Sequence, residues 1–175
     1  MPMTTGTSTD AQERADLLET LTLHRSFLRH TVRGLTDEQA RQRTTVSELC
    51  LGGLVKHLTA VEQNWSNFIV TGPGALGQGD QASMEAHAHG FRMLEGETLA
   101  GLLAAYEEAA RHTDELVTSL PSLDASQPLP PAPWFKPGAR WSARRALLHL
   151  LAETAQHAGH ADIIRESLDG AKTMG

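Results

Sequence analysis

Apolar residues recur every three or four positions through four long stretches of this chain, and in no segment do they alternate with polar ones as in a half-buried strand. That periodicity commits the chain to helices, each with an apolar face to bury. The first stretch runs from Asp10 to Gly34, carries Leu17, Leu18, Leu21, Phe27 and Leu28, and closes on a glycine. Gly34-Leu35-Thr36-Asp37-Glu38-Gln39 then reads as a turn opening a short capped segment to about Arg43. The second stretch, from Glu48 to Val70 with Ser47 placed to cap it, presents Leu51, Leu54, Val55, Leu58, Val61, Trp65 and Phe68 on one face. The third, from Glu97 to Leu120, ends against Pro121, and a short helical piece around His87 to Leu94 is expected before it. The fourth runs from about Ser142 to Leu168 and stops at Gly170.

The breaks between them are equally informative. Thr71 to Asp80 holds glycines at 72, 74, 77 and 79 around Pro73 and must be a loop. Gly72-Pro73-Gly74-Ala75-Leu76-Gly77 matches a dinucleotide-binding fingerprint, but that motif leaves a strand and opens a helix, and this one leaves a long helix. Ser122 to Gly138 contains five prolines, which favours extended chain over helix and makes a long crossover. An all-α four-helix bundle, one domain over residues 1–175, is the architecture these features imply.

Composition narrows the function classes. A net charge of −6, with arginines dispersed among acids, provides no footprint for nucleic acid. No stretch approaches the ~20 apolar residues of a membrane span, and Met1 to Asp10 lacks the pattern of a secretory signal, so a soluble cytoplasmic protein is expected. The lone Cys50 has no disulfide partner and reads as a packed thiol. Asn64-Trp65-Ser66 fits a glycosylation acceptor only by accident, since it falls inside a helix. Nine histidines, however, are a heavy load.

Their placement carries the chemistry. With about 100° between successive helical residues, His157 falls inside the apolar sector drawn by Leu147, Leu150, Ala161 and Ile164, and Glu153 projects within about 40° of it. An inward carboxylate costs several kcal/mol unless it is paired, protonated or bound to a cation. No lysine or arginine stands one turn away, because Leu150 and His157 occupy those positions. His57, between Leu54 and Val61 in the second stretch, also points inward. Two ligands one turn apart on one helix and a third on a facing helix are how bundle metal sites are assembled, and three protein ligands leave a position open. Each residue also has a plainer reading: a core histidine hydrogen-bonded to a neighbour, or a Glu/His surface pair at i, i+4. His149 is an alternative ligand, and His160 is either a fourth ligand or, as we favour, a partner that orients one. His24, His30 and His112 are expected to be solvated; His87 and His89 have no placement.

Leu54-Val55-Lys56-His57-Leu58 and Glu153-Thr154-Ala155-Gln156-His157-Ala158-Gly159-His160-Ala161-Asp162 resemble the DinB-like superfamily, and more narrowly its DUF664 branch. The likeness extends over nearly the whole chain, through Gly34 to Ala40, the proline-rich segment with Trp134, and Ile164 to Gly170. Many members carry a histidine where Glu153 stands; the substitution is similar to the mycothiol-dependent maleylpyruvate isomerases, whose metal is held by His, Glu and His. This resemblance implies His57, Glu153 and His157 as ligands of a divalent metal, Zn²⁺ foremost, with Ni²⁺, Fe²⁺ or Mn²⁺ as alternatives. It further implies an up-down-down-up bundle, often a homodimer, in which the metal activates mycothiol or another small thiol for attack on a small electrophile. Arg92, Arg140 and Arg144 are candidates to hold an anionic group. No counterpart of the isomerases' extra C-terminal domain is expected here, so neither the isomerisation nor mycothiol as the particular thiol carries over from the resemblance. Two other functions compete with a thiol transferase: a non-catalytic metal-sequestering stress protein with the open position closed by His160 or a neighbouring side chain, and a purely structural dimeric bundle with a protonated Glu153 bonded to His157.

Overall fold

The computed structural model describes residues 6–77 and 89–173, with side chains from residue 10 onward. Four long helices dominate these residues: α1 Gly6–Thr31, α3 Leu51–Thr71, α4 Leu99–Ser119 and α5 Ala143–Asp169, with the short α2 Asp37–Arg41 between the first two. None is long and apolar enough to cross a membrane.

The ends of the helices follow local chemistry. Thr36 and Gln39 form the expected capping box on α2. The hydroxyls of Thr98 and Ser142 accept hydrogen bonds from the Gly101 and Arg145 amides and so open α4 and α5. Gly170 closes α5 in the left-handed conformation with φ 80°. The start of α3 differs from expectation. Ser47 spends its hydroxyl on the Leu49 amide in a local turn, so the helix begins at Leu51 and Glu48 lies outside it. Of the helical piece expected over His87–Leu94, His87 lies outside the described residues; His89 and Gly90 are helical and Phe91 begins a turn.

The expectation of no strand needs correcting. Within and just beyond the proline-rich crossover, β1 Ser126–Pro128 pairs antiparallel with β2 Arg140–Ser142, aligning Gln127 with Trp141. So short a ladder carries no alternating pattern. Pro128 is tolerated because a two-stranded ribbon consists entirely of edges. The ribbon ties the crossover to the start of α5, where the Ala143 amide donates to the Ala125 carbonyl.

Contacts between helix ends give the directions. Arg144 at the start of α5 pairs with Glu13 near the start of α1, and Arg165 near the end of α5 donates to the carbonyl of Thr31 at the end of α1, so these two run parallel. Lys56 pairs with Glu97 at 2.6 Å where α3 and α4 begin, and Trp65 and Phe68 share an apolar cluster with Val117 where they end, so these also run parallel. His57 meets Glu153, whereas Trp65 meets His149, so α3 and α5 run antiparallel. The bundle is therefore up-down-down-up.

One apolar cluster, around Leu28, Leu54, Leu58, Tyr106 and Ile164, fills the end near α2, and a second, around Trp65, Phe68, Val117 and Leu147, fills the other. Between them in sequence fall Arg25 and Glu62, a buried ion pair extended by Asp114, whose carboxylate accepts from Arg25 at 2.8 Å. Although burial works against the charge on Arg25, Glu62 and Asp114 hold its guanidinium above the usual range.

The Glu13–Arg144 pair gives the fold a pH dependence of known sign. The hydrogen bond from Arg144 holds the Glu13 carboxyl below the usual range. Its contribution is thus present above the unfolded value of about 4.3 and fades as pH falls through the lower folded value. Both side chains are about one-third exposed, so Glu13→Gln should cost less than about 1 kcal/mol at neutral pH. Urea melts at pH 7 and pH 3 should show this gap closing in acid.

Candidate metal centre

Helix periodicity aims His57 of α3 at α5, and antiparallel packing brings Glu153 and His157, one turn apart, opposite it. His57 Nε2 lies 3.8 Å and His157 Nε2 lies 3.4 Å from Glu153 Oε2. One donor atom from each of the three residues falls within 4.8 Å of the others. An ion about 2.1 Å from each donor requires pairs no more than about 4.2 Å apart. Both carboxylate–imidazole distances already meet this, and the remaining pair lies within 4.8 Å. Two imidazole nitrogens and one carboxylate oxygen fit Zn²⁺ and related divalent ions. This is the set expected from the sequence, and the structure brings all three together.

The surroundings keep the set ordered. His57 and His157 are buried, while the Glu153 side chain, 27% exposed, stands at the rim rather than in the core. The imidazole of His157, and after it that of His57, holds the facing Glu153 carboxyl far below its usual range. The carboxyl is therefore ionised, which disfavours the reading in which a protonated Glu153 merely bonds to His157.

Phe91 stacks on the His57 ring with centroids 3.9 Å apart and planes at 21°. Periodicity could not reveal this contact, because Phe91 lies in a turn. The signal was Gly52-Gly53 at the start of α3. A Cβ on Gly53 would meet the Phe91 carbonyl oxygen at 1.9 Å, and one on Gly52 would meet Met93 Sδ at 2.5 Å. The two glycines let the 91–93 segment lie directly on the helix, which sets Phe91 over His57.

His149 and His160 flank the set. His149 Nε2 is 3.7 Å from Glu153 Oε1, the oxygen turned away from the other two histidines. Burial pushes its imidazole below the usual range, against the pull of Glu153. It packs edge-on to Trp65 at 4.6 Å and Trp141 at 5.3 Å, and these two indoles stack at 4.9 Å. Arg145 lies over the Trp141 ring at 4.2 Å. His160 turns its Nδ1 to Nδ1 of His157 at 3.2 Å, and so meets the side of His157 that faces away from Glu153.

The other candidates lie elsewhere. Arg144 is engaged by Glu13 and Asp124, Arg140 by Ser126, and Arg92 pairs with Glu48 at 3.5 Å. His30, His89 and His112 are exposed, while His24 is half-buried against Phe27. The aromatic neighbours Phe91 and Trp141 were not foreseen from the sequence, nor was the pairing of Arg25 with Glu62, whose partners lie on different helices. Residues 16–170 match the family model described as mycothiol-S-transferase, and no curated protein matches the chain.

Proposed function

Because the chain belongs to the mycothiol-S-transferase family, we propose that it is a metal-dependent thiol transferase that joins mycothiol, or a related small thiol, to a small electrophile. The observation that carries this reading is the His57, Glu153 and His157 set, whose donor atoms converge within 4.8 Å. These three residues would hold the ion, with Zn²⁺ the first choice for a nitrogen-rich set and Ni²⁺, Fe²⁺ or Mn²⁺ as alternatives. A divalent ion in that position supplies Lewis acidity that lowers the pKa of a bound thiol, giving a thiolate at neutral pH. Glu153 contributes the negative charge that draws the ion in, and Phe91 shields the His57 ring from water. The stacked Trp65 and Trp141 form an apolar wall beside His149 on the side of Glu153 away from His57. Cys50 is buried and plays no part.

The test is turnover. Zn²⁺-loaded protein with mycothiol should consume thiol faster than the uncatalysed background in the presence of a slow-reacting small electrophile such as a haloarene, and chelator-stripped protein should not exceed that background. If loaded protein neither binds nor consumes thiol across an electrophile panel, the enzyme reading gives way to metal sequestration. His160 turns its Nδ1 toward His157, so a closed shell would need another neighbouring side chain as fourth ligand.

A homodimer is part of the same proposal. On α5, Leu148, Ala152, Gly159 and Ile163 are exposed and share one face, spaced four and seven residues apart. A Cβ on Gly159 would meet nothing within 4 Å, so that face is open. Gly159→Arg should convert a dimer into a monomer in sedimentation equilibrium. A wild-type protein that sediments as a monomer excludes the dimer.

A further inference from the structure

His157 has two ring nitrogens with different neighbours. Nε2 faces Glu153 Oε2 at 3.4 Å, and Nδ1 faces Nδ1 of His160 at 3.2 Å. An imidazole that lends its Nε2 lone pair to a metal must carry its proton on Nδ1, and a proton there calls for an acceptor. His160 supplies one when its own proton sits on Nε2. We propose that His160 is a positioning residue that fixes the tautomer and ring orientation of His157, so that Nε2 of His157 is presented bare to the ion. The proposal rests on the reading of His57, Glu153 and His157 as a metal centre.

Three observations support it. Only one proton can lie between two facing Nδ1 atoms, so the tautomers of the two rings are locked to each other: His157 with a free Nε2 requires His160 with a free Nδ1. His160 follows His157 by three residues on one rigid helix, which holds the pair on a common face. The rings meet edge to face, with centroids 5.2 Å apart at 62°, and their facing Nδ1 atoms stand 3.2 Å apart, within reach of one hydrogen bond. The near nitrogen of His160 is thus used on His157, and the residue acts through a ligand rather than as one.

The experiment compares wild type with His160→Phe, which keeps a flat ring and removes the acceptor, and His160→Gln, whose side-chain carbonyl can still accept. Zn²⁺ affinity is measured by chelator competition, and thermal unfolding is followed on the stripped proteins. His160→Phe should weaken Zn²⁺ about 10- to 100-fold, the usual cost of losing a partner that orients a ligand. It should leave the melting of stripped protein unchanged, and His160→Gln should recover most of the affinity. In ¹⁵N-labelled, Zn²⁺-loaded protein, a slowly exchanging His157 Nδ1–H signal should be present in wild type and in His160→Gln and absent in His160→Phe. If wild type binds Zn²⁺ and His160→Phe binds it equally well, or if both variants lose affinity in step with stripped-protein stability, the positioning role is overturned while the metal centre stands. If wild type itself binds no Zn²⁺, the metal centre fails and the proposal falls with it.

Discussion

Glutamine at position 153 should lower Zn²⁺ affinity by about two orders of magnitude while the metal-free protein folds as before. Binding free energies of roughly 10–16 kcal/mol for four-ligand zinc sites amount to about 3 kcal/mol per ligand, which is about a hundredfold in affinity. Glu153→Gln keeps the shape and removes the charge that two buried imidazoles now surround. Because the side chain stands at the rim, the core has no packing to lose. Metal content after chelator-buffered dialysis should fall from about one ion per chain to a small fraction, and urea melts of the stripped forms should superimpose. Equal Zn²⁺ affinity in wild type and variant would place the ion elsewhere.

Loss of Glu62 should be the most damaging single change to stability. Arg25 and Glu62 are 2% and 0% exposed and touch through a charged hydrogen bond. Burial pushes the Glu62 carboxyl up, against the pull of Arg25, so the pair already stands under desolvation strain. Glu62→Leu strands the guanidinium with Asp114, a partner whose side chain is 43% exposed, and should cost about 3–5 kcal/mol. The double variant Arg25→Met with Glu62→Leu removes both charges and should recover most of that loss. Denaturant unfolding of the two singles and the double completes the cycle. A cost below about 1 kcal/mol for Glu62→Leu would show that the pair is not what holds α1 to α3.

These two sites differ in how much of them could be read from the residues. His57, Glu153 and His157 were legible because each interrupts an apolar stripe whose direction is known from helical period alone. Glu62 follows the same rule, four residues after Leu58 and three before Trp65, yet it drew no notice, because its countercharge lies on another helix. Arg25 was equally unmarked among the exposed polar residues of α1. The pairing of Ser126–Pro128 with Arg140–Ser142 was hidden for a different reason: three-residue strands are too short to show alternation, and the flanking prolines argue for irregular chain.

Periodicity, caps and glycine or proline breaks are local, so the helical class, the approximate helix limits and the inward face of His57 and His157 could be taken from the chain as written. Distances across the bundle are not local. That His57 meets Glu153 and not another turn of α5, that Phe91 lies on its ring, and that His160 takes the far nitrogen of His157 were settled by how α3, α5 and the 91–93 segment pack. Packing depends on side-chain volumes summed over the whole core, down to the two glycines that allow one backbone to rest against another.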